Sequence, residues 1–456
     1  MNIPLRLLLA AVAAVSLLSA APVIAQQRPL SLEEAIDIAV ANNREIDLSQ
    51  FDTRKADAAV QQAFGNALPS ISANASYTRN LKKQIFYFPG ADGITRPIEI
   101  GSANAVTADL RVQQILFNAA VLTGMGTAES YAKISREQLR STAGQTVLAV
   151  RRAYYSALLA RDVLRLNEAV LKSAEQNYSI ARQYFEQGLR AEFDAIRADV
   201  QVSNQRPAVV QAQDNYALAI ESLKLLLGFG PEEDMTLTES LVAPASLDTV
   251  GLNLAGAQQL LEENNPQLRT ARLGSDVTKD LIDINKAEYL PTLAFIGSYQ
   301  LQAQADNLGD LSFQPTALVG LNLSVNLFNG YQTTAKVEQA TIDYEKSRTQ
   351  VAQLDNALRL QLQSVLRKLN YARLRIASSQ QTIAQAERGY QIATVAYRAG
   401  TGTQYQINDA DLARSQSQLN QINAIYDYRV ALAELEALIG RNVALTGDGH
   451  DVVFNR

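Results

Sequence analysis

Residues 365–397 read VLRKLNYARLRIASSQQTIAQAERGYQIATVAY, and the spacing of their apolar side chains decides the fold. Val365, Leu369, Ala372, Ile376, Ser379, Ile383, Ala386, Tyr390, Ala393 and Tyr397 follow an unbroken alternation of four and three residues. An α-helix places such positions on one stripe, and a heptad kept this long predicts coiled-coil packing. The same stripe lies 212 positions earlier, as Ala153, Ala157, Ala160, Leu164, Asn167, Leu171, Ala174, Tyr178, Ala181 and Phe185. The stretches that carry these stripes, Asn118 to Gln187 and Gly330 to Ala399, hold 70 residues each. At ~1.5 Å rise per residue such a helix reaches about 100 Å, a length without use in a globular domain. Proline agrees: none stands between Pro97 and Pro207, or after Pro315.

Outward from the long helices, other landmarks recur in the same order. The first half has Asn42-Asn43, Leu68-Pro69, Leu116-Phe117-Asn118, Gly188 and Leu227-Gly228. The second has Asn264-Asn265, Leu290-Pro291, Leu327-Phe328-Asn329, Gly400 and Ile439-Gly440. Self-similarity in fixed order predicts two copies of one supersecondary unit. Each copy reads as a helix, two strands, a very long helix, a turn and a further helix. Ser31-Leu32-Glu33-Glu34 opens the first helix, expected to run unbroken to Ala63. The strands show period two: Ile71, Ala73, Ala75 and Tyr77 alternate with Ser72, Asn74, Ser76 and Thr78. Three further stretches, around Val106–Val112, Leu293–Leu301 and Ala317–Leu327, do the same. Pro207, inside the helix after the first turn, predicts a kink or break.

Composition excludes most chemistry. The 456 residues include no Cys, no Trp and a single His, His450, so thiolate nucleophiles, disulfides, histidine triads and Cys- or His-rich metal sites are out of reach. No metal, cofactor or catalytic residue is expected, and the phosphate-loop and nucleophile-elbow patterns are absent. With 41 Lys+Arg against 46 Asp+Glu, scattered among each other, no nucleic-acid footprint is expected. Residues 1–25, with Arg6, an apolar run from Leu7 to Leu18 and small residues up to Ala25, read as a cleavable export signal. Beyond it no apolar run is long enough for a membrane-spanning helix, so entry into a membrane would require a β-barrel.

Four strands cannot close a barrel, and a bilayer tolerates no open sheet edge, so strands must come from further copies of the chain. Two copies supply eight strands and little interior; three supply twelve and a duct, and a polar strand face suits three. The alternative is a small soluble sheet packed on helices. Phe117 and Phe328 would sit at the strand-to-helix junctions, and Phe86-Tyr87-Phe88, in the long first-copy loop, would cap the outer mouth.

On the duplicated layout, the Asn-Asn, Leu-Pro and Leu-Phe-Asn landmarks and the glycine turns, the chain resembles the outer-membrane efflux protein family, the TolC-like trimeric ducts. The resemblance implies a mainly helical fold with β: a 12-stranded outer-membrane β-barrel, four strands per protomer, continued by a 12-helix periplasmic α-barrel. It implies a homotrimer in outer-membrane lipid, a periplasmic adaptor and an inner-membrane pump as partners, and passive export of a substrate that remains open between drug, metal and protein. The expected division is a signal at 1–25 and a first repeat at 26–228, with strands at about 68–79 and 105–117 and a tip turn near 188. A linker follows at 229–251, then a second repeat at 252–441, with strands at about 291–303 and 315–328 and a tip turn near 400, and a tail at 442–456. Adaptor contacts are expected at Gly188, Leu189, Gly400 and Thr401. Pore-constriction candidates are Asp409, Gln406 (Asp in the best-known members), Asp194 and its matching partner Tyr397. Gly402 replaces the Arg that helps close the tip in those members, which puts a latched resting state in doubt. Asp411 reads as part of a solvated helix face. A periplasmic coiled-coil scaffold or tether without a pore is the competing reading.

Overall fold

The computed structural model describes residues 28–90, 93–230, 232–243, 254–445 and 452–454. The expected signal at 1–25, and part of the expected linker at 229–251, lie outside the described residues.

In chain order the elements are β1 (Arg28–Leu30), α1 (Leu32–Asn42), α2 (Arg44–Gly65), β2 (Ser70–Arg79), β3 (Gln84–Pro89), β4 (Thr95–Ile100) and β5 (Asn104–Phe117). They continue as α3 (Ala119–Glu186), α4 (Glu192–Leu227), β6 (Met235–Leu237), α5 (Leu254–Asn264), α6 (Pro266–Lys286), β7 (Thr292–Ala305) and β8 (Gln314–Ser324). Last come α7 (Gln332–Arg398), α8 (Gln404–Leu438), β9 (Val443–Leu445) and β10 (Val452–Phe454).

The single helix expected from Ser31 to Ala63 is two. Asn43 leaves the helical region at ψ 117° and its Oδ1 accepts from Glu45 N and Ile46 N, which starts α2 afresh. Asn265 does the same for α6, accepting from Leu268 N with Pro266 at the first helical position. The Asn-Asn landmarks are therefore helix junctions. α3 and α7 run 68 and 67 residues without interruption. The α7 face of Val365, Leu369, Ala372, Ile376, Ser379 and Tyr397 is buried, as the heptad requires. At Pro207 no break occurs: α4 continues through it to Leu227.

The main sheet has the order β2-β5-β7-β8, every pair antiparallel. Its register sorts side chains by polarity. Asn74, Asp109, Gln300 and Thr316 lie opposite one another on one face, and Ala73, Leu110, Tyr299 and Ala317 on the other. On the polar face Asn74 Nδ2 donates to Asp109 Oδ2 at 3.2 Å. The expected strand at 315–328 ends at Ser324, because β7 begins at Thr292 opposite it and leaves Val325 to Phe328 without a partner. The long first-copy loop is itself a hairpin, β3 with β4, in which Phe86 faces Ile98.

Along the helices, α2–α3–α6–α7 pack side by side next to the sheet, and α4–α3–α8–α7 continue in the other direction. Between these levels lies an equator where α1, α5 and the short parallel pair β1–β6 close around the long helices. Leu30, Ile36, Tyr154, Leu223, Leu261 and Leu362 are fully buried there. The expected tail at 442–456 is in part structural: Arg140 Nη2 donates to Gly440 O at 2.7 Å and its Nε to Val443 O, while Asn442 Nδ2 donates to Gly144 O.

Candidate functional site: the tip of the two helical hairpins

The end of the molecule farthest from the sheet consists of the α3–α4 and α7–α8 turns. Both helices stop in the same way. Gly188 at φ 71° and Gly400 at φ 83° take the left-handed conformation that reverses the chain. Leu189 N then donates to Tyr184 O at 2.8 Å, and Thr401 N to Ala396 O at 3.0 Å. The four expected adaptor-contact residues thus form two matching, solvent-facing turns, with Leu189 65% exposed.

Beneath the turns lies a small core of Ala181, Ala198, Tyr397 and Ile407, flanked by Tyr178, Tyr184, Tyr390 and Ala393. Tyr397 is 1% exposed, so its ring faces its own chain, 6.1 Å from that of Tyr184. Its hydroxyl has no hydrogen-bond partner among the described residues. Burial pushes the phenol above its usual value, the charge of Asp194 adds to this, and Arg190 opposes it. Asp194 itself is half-buried in the first turn of α4.

Asp409 is exposed on α8, free of any helix-capping duty. Gln406 is also exposed, but its Oε1 accepts from Thr403 N at 2.9 Å while Thr403 Oγ1 accepts from Gln406 N, a capping box that starts α8. Asp411, expected on a solvated face, is 5% exposed and bound to Arg414. An isolated buried carboxylate would be costly, and the guanidinium offsets this. Burial still pushes its carboxyl above the usual range, against the lowering effect of Arg414.

Two arginines that the sequence reading passed over organise the tip. Arg190 Nη2 donates to Tyr397 O at 2.9 Å and Gly402 O at 3.0 Å, and its guanidinium stacks 4.8 Å from the Tyr397 ring centroid. Gly402 is here for steric reasons: a Cβ would lie 2.8 Å from Tyr397 N. Arg190 lies 212 positions before Gly402, the same offset as the apolar stripes of the two long helices. Arg414 stacks 4.0 Å from the centroid of Tyr390, whose hydroxyl meets Ser173 Oγ at 2.8 Å and Asn177 Nδ2 at 3.2 Å. A seven-residue spacing of tyrosines on the buried stripe was the one available signal for these sites.

Comparison with known proteins follows the same outline. The family model described as outer membrane efflux protein matches twice, over residues 35–229 and 257–441. The alkaline protease secretion protein AprF of Pseudomonas aeruginosa is 26% identical over 348 residues, 74% of this chain and 70% of that protein. The outer membrane protein TolC of Vibrio cholerae is 24% identical over 386 residues, 84% of each. Among solved structures, the outer membrane protein VceC of Vibrio cholerae superposes with a TM-score of 0.77 at 18% identity, covering 90% of this chain and 96% of that one.

Proposed function

The chain belongs to the outer membrane efflux protein family, and from that premise we propose that three copies close an outer-membrane duct continued by a periplasmic helical tunnel, a passive conduit for efflux or type I secretion. The observation that carries this reading is the matching pair of open flanks. In the sheet the outer strands are β2 and β8; among the helices they are α2 with α4 on one side and α7 on the other. A surface whose two sides differ associates head to tail, and such a contact closes into a ring when the rotation allows. Pairing β2 of one copy with β8 of the next abolishes every open edge, as a membrane barrel must. The polar face of Asn74, Asp109 and Gln300 then lines a wet interior and the apolar face meets lipid.

The double match of the family model supports two copies of one unit within the chain, and ring closure gives twelve strands and twelve tunnel helices in the trimer, with the tip as its periplasmic mouth. Asp409, with Gln406 and Asp194 near it, narrows and charges that mouth, while Tyr397 acts from behind by fixing the turn. Leu189 and Thr401, on Gly188 and Gly400, meet a periplasmic adaptor that connects to an inner-membrane pump. Protease secretion is the task named for AprF; for this chain drug, metal and protein cargo stand equal.

Three Asp409 carboxylates around a threefold axis attract cations. In single-channel recordings Asp409→Asn should lower cation preference, and unchanged selectivity would remove Asp409 from the pore. In fractionated cells the protein should appear in the outer membrane as a heat-sensitive trimer. Recovery only as a soluble periplasmic species would favour a scaffold.

A further inference from the structure

At the equator α1, α5 and the β1–β6 pair lie against one face of the long helices. On α3 the Tyr154 hydroxyl donates to Leu30 O, and Arg161 donates to Leu237 O and Glu239 O. On α7 Arg359 pairs with Glu262 of α5, and on α8 Arg429 Nη2 donates to Val242 O beyond β6. Helix geometry, about 100° per residue, puts Arg152, Lys368, Arg375, Asp427 and Glu434 on the far side, each about 140–200° round its helix from those anchors. In a closed ring the covered face is the outside, since three such layers within would fill the duct, and the far face is the duct wall.

Among these wall groups three cations meet two carboxylates. Glu434 is shared: its Oε1 lies 2.6 Å from Arg152 Nη2 and its Oε2 3.6 Å from Lys368 Nζ. Asp427 Oδ2 is held by Arg375 Nη1 at 2.7 Å. Each carboxylate thus accepts from a guanidinium, and Lys368, 62% exposed and beyond hydrogen-bond distance of its partner, keeps donors for a ligand. Beside it α7 and α8 leave a cavity of about 280 Å³, walled by Lys368, Tyr371, Tyr426, Val430 and the two carboxylates. Tyr371 is 63% exposed, with the Arg375 guanidinium 5.5 Å from its ring centroid. The groove continues past Tyr371 to Ser378 and Asn420, and past Glu434 to Arg152 and Gln361. Two tyrosine rings offer apolar faces to a planar group, and the ammonium beside them offers charge-assisted bonds to an anion.

We propose that this groove binds organic anions that carry an aromatic ring, the ring against Tyr371 and Tyr426 and the anionic group on Lys368, so that the tunnel wall at the equator contacts cargo of that class in passage. The site itself stands on one chain; its place in the duct wall rests on the reading of the helical tunnel as a conduit.

Isothermal calorimetry of the purified full chain in detergent, with naphthalenesulfonate as the probe, tests the site. The unaltered protein should bind it, Lys368→Gln should weaken binding about tenfold, and Lys368→Arg, which keeps the charge, should recover most of the loss. Arg165→Gln is the control: Arg165 is 63% exposed and stands about one turn beyond Arg161 on the covered side of α3, so its loss should change nothing. Neutral naphthol should bind about tenfold more weakly than the sulfonate. No binding, or equal binding by Lys368→Gln and the unaltered protein, would overturn the site, and naphthol binding as tightly as the sulfonate would overturn the anionic class. Bilayer recordings test the place in the duct: the same probe should block potassium current, and Lys368→Gln should relieve the block. Calorimetric binding with an unblocked current would put the groove off the current path, overturning the conduit reading while the site stands.

Discussion

At the equator Leu30, Tyr154, Leu223 and Leu362 are fully buried in one large apolar cluster drawn from eight helices and three short strands; at the tip the buried cluster is four residues. The equator also fixes its strays: the Tyr154 hydroxyl donates to Leu30 O at 3.0 Å, with burial pushing its pKa up to about 12 so that it stays a donor. The tip has too little apolar surface for this, being the end of two hairpins with water on most sides. There the stacked guanidinium groups of Arg190 and Arg414, the carbonyl bonds of Arg190 and the side-chain bonds of Arg414 take over from area. The difference teaches where motion belongs. A region held by burial opens only at the cost of its whole core, whereas one held by a few directional contacts opens locally.

That contrast predicts a gradient of effects. Tyr154→Ala should cost about 3–5 kcal/mol and lower the thermal midpoint of the whole chain. A purely local effect would break the comparison at its strongest point. Gly440→Ala should come next, because φ is 68° and the new Cβ would lie 2.3 Å from Asn264 O. The left-handed backbone costs about 1–2 kcal/mol and the overlap about 1–3 more, again read as global loss in a melting curve. Gly402→Ala meets backbone at 2.8 Å and should cost about 1–3 kcal/mol, but show as faster exchange at the tip with the global midpoint nearly unmoved.

The smallest expected effect is a slope. The Asp411 carboxyl has a folded pKa raised above its ordinary value of 3.8, mainly by burial. The folded chain therefore holds this proton to higher pH than the unfolded one. Its contribution to stability is fully present below the unfolded value and is lost as pH rises through the raised one. Melting curves should show wild type gaining on Asp411→Asn as pH falls through that window. Parallel curves would mean that Arg414, with Glu387 nearby, balances the burial fully.

How much of this was legible in the sequence depends on the kind of signal. The α7 stripe from Val365 to Tyr397 was plain, because a heptad reports one face over about nine turns, and along that face every stripe residue is buried or half-buried. The strands were plain for the same reason, since period two survives in the observed register. The break at Asn43 was not, because one capping side chain ends a helix without disturbing the apolar pattern around it. The β3–β4 hairpin was hidden by a lack of clean alternation around Phe86-Tyr87-Phe88. At the tip the glycines were visible as turn signals, but Arg190, Arg414 and the burial of Asp411 were not. A charge reads as solvated by default; for Arg190 the other hairpin supplies the ring and the carbonyls, while Asp411 and Arg414 meet three residues apart on α8 with Tyr390 of α7 against the guanidinium.

The central claim is that the open flanks of one chain close on further copies into a hollow tube. Low-resolution electron microscopy of the detergent-purified mature protein tests it most directly. The account predicts a threefold particle with a hollow axis and a helical stalk of about 100 Å, as α3 and α7 require. A compact particle or a solid, asymmetric rod would contradict it, since the sheet edges would then close nothing.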